Sequence, residues 1–373
     1  MSWVRVCTVT ALVALITVLF APPMATAQQP TAAAINRGVV ELETSGAAGI
    51  SVRIAEDLAN LIDDGTTRRV VPVVGKGSLQ ILTDLRYLRG VDMAILQTDV
   101  LDYAKAQRLL PSLESALSYI TRLYNEEFHL LAGPGVKSVT ELANKKVNVD
   151  LRGSGTSITA ARLFEMLKLP VTVTNDSQEV ALNKLRRGEI AALAFVAGKP
   201  APLFMGLKGD DGLHFLAVPF NEAAGGAYAP TRLTAGDYPG LVPQDRAVDT
   251  VAVGSILAVA DLRQSPERYR NIASFVDVFF TGFQSLLEPG HHPKWADVNL
   301  TADLPGWRRY QPAEQWLQRN MQVANAPKPD DLKAMFANFI DEHRRSAGGG
   351  AMTDKEKEEL FQQYSRWQNG QSR

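Results

Sequence analysis

The chain of 373 residues contains one cysteine, Cys7, and its formal net charge is only −1. With a single cysteine, neither a disulfide framework nor a cysteine-based zinc site can form. The balanced charge excludes the overall basic field that is typical of nucleic-acid-binding proteins. A hydrophobic content of 46% with 21% charged residues also excludes an intrinsically disordered chain. These absences leave a globular protein that is stabilised by its apolar core.

Enzyme and metal signatures are absent as well. The sequence contains no GxSxG, HExxH or CxxC pattern and no convincing pair of a nucleophile and a base. His291 and His292 lie in a loop between Pro289 and Pro293, where solvated side chains are expected instead of metal ligands. We therefore expect a protein that is not an enzyme and that has no catalytic residues, metal or cofactor.

The first 27 residues have the pattern of a secretory signal peptide. Arg5 precedes an apolar stretch at 6–20, and Ala25 and Ala27 form a small-x-small cleavage site. The apolar stretch is shorter than the about 20 residues that a membrane span needs. We expect export to the periplasm with cleavage near Ala27, and a retained signal anchor is the alternative. The mature chain would contain no cysteine.

From residue 39 onward, short runs rich in β-branched residues alternate with helical patterns. Strands are predicted at 39–44, 69–74, 91–96, 127–132, 147–151, 171–174, 190–196 and 250–260. Helices are predicted at 51–62, 78–89, 156–167, 178–187, 266–287 and 355–367. Strands interleaved with helices of this length predict parallel sheets in doubly wound α/β layers.

Two turn-rich segments interrupt this alternation and suggest a two-lobed chain. "AGPGVKS" at 132–138 is a glycine-proline break, and "YAPTRLTAGDYPGLVPQ" at 228–244 is a long connector. We predict an α/β protein whose second lobe is inserted into the first. Its predicted parts are a signal peptide (1–27), a first lobe (28–132 and 251–320), a second lobe (133–250) and a helical, polar C-terminal extension (321–373).

A glycine- and hydroxyl-rich stretch, "DLRGSGTSITAARLFEML" at 150–167, marks a predicted strand-to-helix junction. The first N–H groups of a helix have no intrahelical partner, and the positive end of the helix dipole favours an anion. Glycines allow close approach of the main chain, and hydroxyls can cap the helix or donate to a ligand. The junction is therefore either an anion site or a plain turn with a Ser/Thr cap.

Three further strand ends carry the same kind of residues. One has Gly75, Lys76, Gly77 and Ser78; a second has Thr44, Ser45, Gly46, Gly49 and Ser51; a third has Gln97, Thr98 and Asp99. In open α/β sheets, ligands bind beyond the carboxyl ends of the strands. Four such ends facing one cleft would form a site for a small carboxylate.

The order and spacing of these motifs resemble the TAXI family of solute receptors for tripartite ATP-independent periplasmic (TRAP) transporters. The resemblance runs from about residue 39 to about residue 290. It includes "SGAAGISVRIAEDLANLI", "VVGKGSLQILTDLRYLRGVDMAILQTDV" and "VNVDLRGSGTSITAARLFEML". It implies a type II periplasmic binding fold that closes on a ligand such as glutamate or a dicarboxylate. It also implies delivery of that ligand to TRAP permease subunits.

The resemblance implies ligand-facing positions in four segments, and with Lys76 these are our predicted site: Gly49, Ser51, Lys76, Gly77, Ser78, Gln97, Asp99, Gly153, Ser154, Gly155, Thr156 and Ser157. The chain departs from the family pattern at Ala48, at Ser51 and at Ile81, where an asparagine is frequent. With these departures a carboxylate ligand is still expected, but the amino acid that is the usual ligand of the family is disfavoured.

Two alternatives from other classes remain open. The chain could serve an ATP-driven importer, or it could be a ligand-sensing or scaffolding module with a degenerate cleft. We expect a monomer whose partners are a small organic acid or amino acid and a permease, with no nucleic acid. The residues after about 320 lie outside the resemblance, and no function is assigned to them.

Overall fold

The computed structural model describes residue 31 and residues 35–46, 49–209, 212–220, 227–324, 353 and 355–358. The described residues up to Arg37 belong to a separate unit, and the fold below is that of the second unit, Gly38–Arg373. The predicted signal peptide lies outside the described residues, and only 355–358 of the predicted final helix are described, as helix. None of the described helices is long and apolar enough to cross a membrane.

Ten strands within the described residues form one mixed sheet in the order β2-β1-β3-β10-β4-β7-β5-β6, with β8 beside β4 and β9 beside β10. The strands are β1 (Val39–Thr44), β2 (Arg69–Val74), β3 (Val91–Gln97), β4 (Leu117–Ala132), β5 (Lys146–Asn148), β6 (Thr172–Thr174), β7 (Ala192–Ala197), β8 (His214–Phe215), β9 (Tyr228–Leu233) and β10 (Val248–Ala260).

Helices flank the sheet on both faces. They are α1 (Ser51–Ile62), α2 (Ser78–Tyr87), α3 (Thr98–Ala106), α4 (Leu113–Ala116), α5 (Gly155–Met166), α6 (Gln178–Arg186), α7 (Pro266–Gly282) and α8 (Gln311–Ala324). The helix predicted at 266–287 ends at Gly282, and its last residues form a 3₁₀ turn, Phe283–Leu287. Further 3₁₀ turns occur at Val139–Leu142, Pro202–Phe204 and Pro293–Asp297.

Two long strands, β4 and β10, run through both lobes. The first part of β4 pairs with β10 as far as Glu127, and its last part pairs with β7 from Glu127 onward. Similarly, β10 pairs with β9 up to Val253 and with β3 from Ser255. Both strands therefore change neighbours at the same level, which is where one lobe ends and the other begins.

This arrangement corrects the prediction of purely parallel sheets. The pairs β1–β2, β1–β3, β5–β6 and β5–β7 are parallel, as strands joined through helices are expected to be. The pairs β4–β10, β4–β7 and β10–β3 are antiparallel. The strand predicted at 127–132 is only the second part of β4, which has 16 residues.

Each lobe has its own apolar cores on the two faces of its part of the sheet. In the first lobe, α1 and α7 pack on one face around Trp295 and Phe279, and α2 and α3 pack on the other around Leu82 and Leu101. In the second lobe, α5 covers one face, and α6 covers the other together with Phe204 and Tyr238. Two separately packed lobes joined by two crossing strands form the fold of type II periplasmic binding proteins, so the predicted fold class is confirmed.

The loop with His291 and His292 is not solvated as predicted. The carboxylate of Asp57, on α1, is completely buried and accepts hydrogen bonds from the main-chain N–H of His292 (3.0 Å) and from Nε1 of Trp295 (2.9 Å). Nδ1 of His291 lies 3.3 Å from the second oxygen of the same carboxylate. The loop is therefore fixed to the first lobe.

Candidate functional site

A cavity of about 490 Å³ lies between the two lobes. The first lobe contributes the ends of β1, β2 and β3, and the second lobe contributes the starts of α5 and α6 and the end of β7. The lining residues that carry side-chain polar groups are Ser45, Lys76, Ser78, Gln97, Glu126, Asp150, Ser154, Thr156, Ser177, Gln178 and Glu179. The volume lies within the range of pockets that hold small molecules, about 300–1,000 Å³.

The lobes are closed on this cavity and contact each other directly. The N–H of Leu79, in the first lobe, donates to the carbonyl oxygen of Gly153 in the second (3.0 Å). Gly77 has φ +142°, and a Cβ at this position would lie 3.2 Å from the same oxygen. Main chain therefore lies against main chain here, and a side chain at position 77 would be strained by the positive φ and would require a shift of a few tenths of an ångström at Gly153.

Gly155, the first residue of α5, makes an even closer contact across the cleft. A Cβ at this position would lie 1.5 Å from Oε1 of Gln97 and 2.9 Å from Oγ of Ser78. No rearrangement of tenths of an ångström could accommodate it. The glycine thus allows the start of α5 to lie directly against the end of β3.

Three helices begin at the cavity wall. They are α2 at Ser78, α5 at Gly155 and α6 at Gln178. Their first-turn N–H groups have no intrahelical partners, and the positive ends of their dipoles face the same space. At α5 the N-cap Ser154 accepts a hydrogen bond from the N–H of Ser157 (3.1 Å), which leaves the earlier N–H groups of that turn without a capping partner in the helix. The arrangement suits an anionic group.

The hydroxyl of Thr156 is held by the second lobe. Its Oγ1 accepts a hydrogen bond from the main-chain N–H of Val196, on β7, at 3.0 Å, and both groups are buried. The oxygen thus already accepts one hydrogen bond within the protein, and the hydroxyl can still donate its proton. Thr156 ties the start of α5 to the sheet in addition to lining the cavity.

Glu126, on β4, forms the acidic part of the cavity wall. Its side chain is 7% exposed, and Nε2 of Gln97 donates to its Oε2. The pKa of Glu126 is raised to about 7, mainly by burial; the hydrogen bond from Gln97 acts to lower this pKa, and the negative charges of Glu127 and Asp99 act to raise it. Among the described cationic side chains, none forms an ion pair with Glu126.

The remaining charges on the wall are also mainly negative. Asp150 and Glu179 line the cavity from the second lobe, and burial raises the pKa of Asp150. Lys76 is the only lysine or arginine among the lining residues, and its side chain is exposed. The cavity therefore combines main-chain donors with carboxylate and amide acceptors. Its side chains do not form a purely cationic site for an anion.

Most of the predicted site residues line this cavity: Gly49, Lys76, Gly77, Ser78, Gln97, Ser154, Gly155 and Thr156. Two others, Ser51 and Asp99, are buried elsewhere. The hydroxyl of Ser51 lies 2.7 Å from that of Ser45, and Asp99 accepts hydrogen bonds from the hydroxyls of Thr159 (2.7 Å) and Tyr228 (2.9 Å). Asp99 consequently joins the lobes at a distance from the cavity.

Gly153 and Ser157 open on a different groove. This groove lies between α3 and α5 and includes Tyr103 and Arg162. The hydroxyl of Ser157 donates back to the carbonyl oxygen of Ser154 (2.8 Å), as in a local helix-start turn. Gly153 and Ser157 face away from the cavity because successive residues at the start of a helix point in different directions.

The departures at Ala48 and Ile81 have different outcomes. Ala48 lies outside the described residues. Ile81 is completely buried in the core beneath α2, together with Leu82 and Leu85. An apolar side chain at this position is part of the first lobe's core and is not part of the cavity wall.

Sequence reasoning missed Glu126, Asp150, Gln178, Glu179 and Phe195. Gln178 and Glu179 stand at a strand-to-helix junction, "VTVTNDSQEV", of the same kind as the four that were used. That signal could have identified them. Glu126 has no such signal, because it lies within a long strand and reaches the cleft only where that strand passes between the lobes.

Comparison with known proteins assigns the chain to a family. A profile of the NMT1-like family matches residues 42–269, which include every strand from β3 to β10 and all the lining residues of the cavity. The chain belongs to the NMT1-like family. No curated relative matches the sequence.

Several solved structures are similar to this NMT1-like protein. One is the substrate-binding protein of an amino acid ABC transporter (15% identity, TM-score 0.42, 69% of this chain and 97% of that chain). A second is the alkanesulfonate-binding protein SsuA from Xanthomonas axonopodis pv. citri bound to MOPS (13%, 0.42, 77% and 92%). A third is a TctC solute-binding protein from Polaromonas (16%, 0.41, 75% and 88%). Scores of this size carry no argument about the ligand of the NMT1-like protein.

Proposed function

We propose that the protein is an exported solute-binding protein that captures a small carboxylate between its lobes and delivers it to a membrane permease. The cavity between the lobes, at the starts of α2, α5 and α6, is the observation that carries this proposal. Helix N-termini bind anions through unpaired N–H groups and the helix dipole. Three helix N-termini around one small space offer a carboxylate more hydrogen-bond donors than a single helix N-terminus would.

The two crossing strands supply a means of opening. Because β4 and β10 are the main connection between separately packed lobes, a bend at the level of Glu127 and Gly254 would separate the walls without disturbing either core. A ligand that touches both lobes favours the closed state by its differential affinity for the two states. Capture and release would then follow from hinge motion.

The type of permease rests on the resemblance to TAXI receptors, which favours a TRAP-type, ion-gradient-driven transporter. An ATP-driven importer would use the same cleft. Uptake of the identified ligand by membrane vesicles distinguishes the two transporters. A TRAP system takes up the ligand when an ion gradient is imposed and no ATP is present. An ATP-driven importer takes up the ligand only when ATP is supplied on the side of the membrane where its ATPase lies.

The experiment for the binding function is a thermal-shift screen of residues 28–373 against small organic acids, amino acids, sugars and simple cations. A ligand at about 100 times its dissociation constant adds about 2.7 kcal/mol to the free energy of unfolding. We expect carboxylates to raise the melting temperature, and isothermal titration calorimetry then gives the affinity. Stabilisation only by neutral sugars or inorganic cations would refute the carboxylate ligand.

A further inference from the structure

One side of the cavity is apolar. It is lined by Gly49 and by Ile50, Ile95, Phe195 and Ala197, whose side chains are all buried. A Cβ at Gly49, in the first lobe, would lie 3.7 Å from Cβ of Ala197 and 3.8 Å from Cζ of Phe195, in the second lobe. The methyl group of Ala197 and the end of the Phe195 ring therefore face the loop at Gly49 across the cleft. We call these five residues the apolar side.

The two lobes approach each other less closely at Gly49 than at the start of α5. A Cβ at Gly155 would overlap Oε1 of Gln97, whereas a Cβ at Gly49 would make only ordinary van der Waals contacts. The walls therefore leave room for carbon atoms beside Gly49. Small-molecule sites commonly combine such an apolar lining with a few polar groups that fix the orientation of the ligand.

The charges of the cavity wall suit one carboxylate and not two. The helix N-termini receive the first carboxylate, as proposed above. Lys76 is the only lysine or arginine among the lining residues, and its side chain is exposed, whereas Glu126, Asp150 and Glu179 are acidic. A second carboxylate would therefore lie against an acid or against the apolar side, and removal of an unpaired charge from water is costly.

The buried amides of the wall also disfavour a second carboxylate. Nε2 of Gln97 donates to Glu126, and Nε2 of Gln178 donates to the carbonyl oxygen of Ala194 (3.0 Å). In both residues Oε1 is buried and has no partner among the described residues. These two oxygens can only accept a hydrogen bond, and an ionised carboxylate can only accept as well. A water molecule or a hydroxyl group of the solute can donate to them.

We propose that the solute is a monocarboxylate with an uncharged, apolar body. Its carboxylate meets the helix N-termini, and its carbon skeleton fills the space at the apolar side. This inference rests on the proposed function of the cavity as a carboxylate site, and it excludes the dicarboxylate that the resemblance implies. Each methylene group buried at the apolar side increases the affinity about fourfold.

The experiment is calorimetric titration of residues 28–373 with two sets of acids of matched shape. The first set is lactate, malate and 2-hydroxy-4-methylpentanoate, which share a 2-hydroxy acid and end in a methyl group, a second carboxylate or an isopropyl group. The second set, without the hydroxyl group, is propanoate, succinate and 4-methylpentanoate. In each set the carboxylate and the isopropyl group have the same number of heavy atoms, so the comparison separates charge from size.

We expect the acid with the isopropyl group to bind about tenfold or more tightly than the other two acids of its set. Titrations at several temperatures give the heat-capacity change of binding. This change should be more negative for the isopropyl acid than for the methyl acid, because burial of apolar surface lowers the heat capacity.

Ala197→Leu locates the effect. The substitution adds three carbon atoms at the contact with Gly49, so it should reduce the preference for 2-hydroxy-4-methylpentanoate over lactate at least about fivefold. The ratio of the two affinities is the readout, because a merely structural change would weaken both acids alike. Ala143→Leu, at an exposed alanine of the second lobe that does not line the cavity, is the matched control and should leave the ratio unchanged.

Equal or tighter binding of malate and succinate to the wild-type protein would overturn the inference and leave the proposed function intact, because the cavity would still bind a carboxylate. An unchanged ratio in Ala197→Leu would also overturn it. If none of the six acids binds, the inference is wrong, and the thermal-shift screen decides the proposed function. If Ala197→Leu does not fold, as its melting curve would show, the affinities and heat-capacity changes of the wild-type protein decide alone.

Discussion

Glu126 and Glu127 are consecutive residues of β4, yet only Glu127 has a cation: Nζ of Lys294 lies 2.6 Å from its Oε1. Consecutive residues of a strand point to opposite faces, so the two carboxylates are separated by the sheet. Glu127 also accepts a hydrogen bond from the main-chain N–H of Lys199 in the second lobe (2.9 Å). One carboxylate thus faces the solute cavity, and the other fixes the back of the hinge.

Loss of the cation at the hinge should destabilise the protein strongly. In Lys294→Met, Glu127 stays buried without its cation and keeps only the hydrogen bond from the main-chain N–H of Lys199. Breaking a buried pair from one side costs about 3–5 kcal/mol of unfolding free energy. Chemical denaturation at pH 7 measures this change. Lys105→Met breaks an ion pair between half-exposed side chains, and its unfolding free energy should stay within experimental error of the wild type. Equal effects of the two substitutions would contradict a special role for Lys294.

Glu126→Gln should stabilise the ligand-free protein above pH 7. The pKa of Glu126 in the folded protein, about 7, lies above its ordinary value of 4.5, so the stability that its protonated form contributes is complete below pH 4.5 and is lost as the pH rises through 7. Glutamine keeps an acceptor for Gln97 and cannot ionise. We expect an increase of about 1–3 kcal/mol in unfolding free energy at pH 8 and little change at pH 4.5. An increase of the same size at both pH values would show that ionisation is not its cause.

Gly155→Val should prevent closure of the lobes. The new side chain would occupy the space of Oε1 of Gln97, so this buried amide, which also donates to Glu126, would have to leave the contact between the lobes. We expect more than about tenfold weaker binding of the solute found in the screen. Small-angle scattering should show that the variant at saturating ligand has a larger radius of gyration than the wild-type protein at saturating ligand. Gly135→Val, where a Cβ would have no neighbour within 4 Å, is the control and should bind and close normally.

Thr156→Ala should lower stability because it leaves the buried N–H of Val196 without an acceptor. The expected loss is about 1–3 kcal/mol in unfolding free energy, and Thr156→Ser, which retains the hydroxyl, should lose less. Calorimetric titration of the same variants tests whether the hydroxyl proton also serves the ligand. A lower melting temperature with unchanged affinity would mean that Thr156 stabilises the contact between α5 and the sheet and does not bind the ligand.

Export is predicted to remove the first 27 residues. Mass spectrometry of protein recovered from the periplasm should find Gln28 at or near the N-terminus, because the small residues Ala25 and Ala27 fit a signal peptidase. Full-length protein retained in the inner membrane would contradict cleavage.

Local sequence determined the elements that form the cavity wall. The helix predicted at 156–167 is α5, Gly155–Met166, and the glycines and hydroxyls before it stand at a strand-to-helix junction as expected. The ends of β1, β2 and β3 meet at one edge because parallel strands joined through helices have their carboxyl ends on the same side. Periodicity and turn residues are local properties, so the sequence specifies them without knowledge of the whole fold.

Tertiary structure alone decided which side chains face the cavity. Nothing in "NEEFHLLA" shows that β4 changes neighbours at Glu127, and this crossing is what places Glu126 at the cavity and Glu127 beside Lys294. Asp99 stands only two residues after Gln97, the last residue of β3, yet it is buried against Thr159 and Tyr228. The reason is that α3 begins at Thr98 and turns the carboxylate of Asp99 toward the second lobe. The physical reason is that burial and charge compensation depend on partners distant in sequence, which only the assembled lobes bring together.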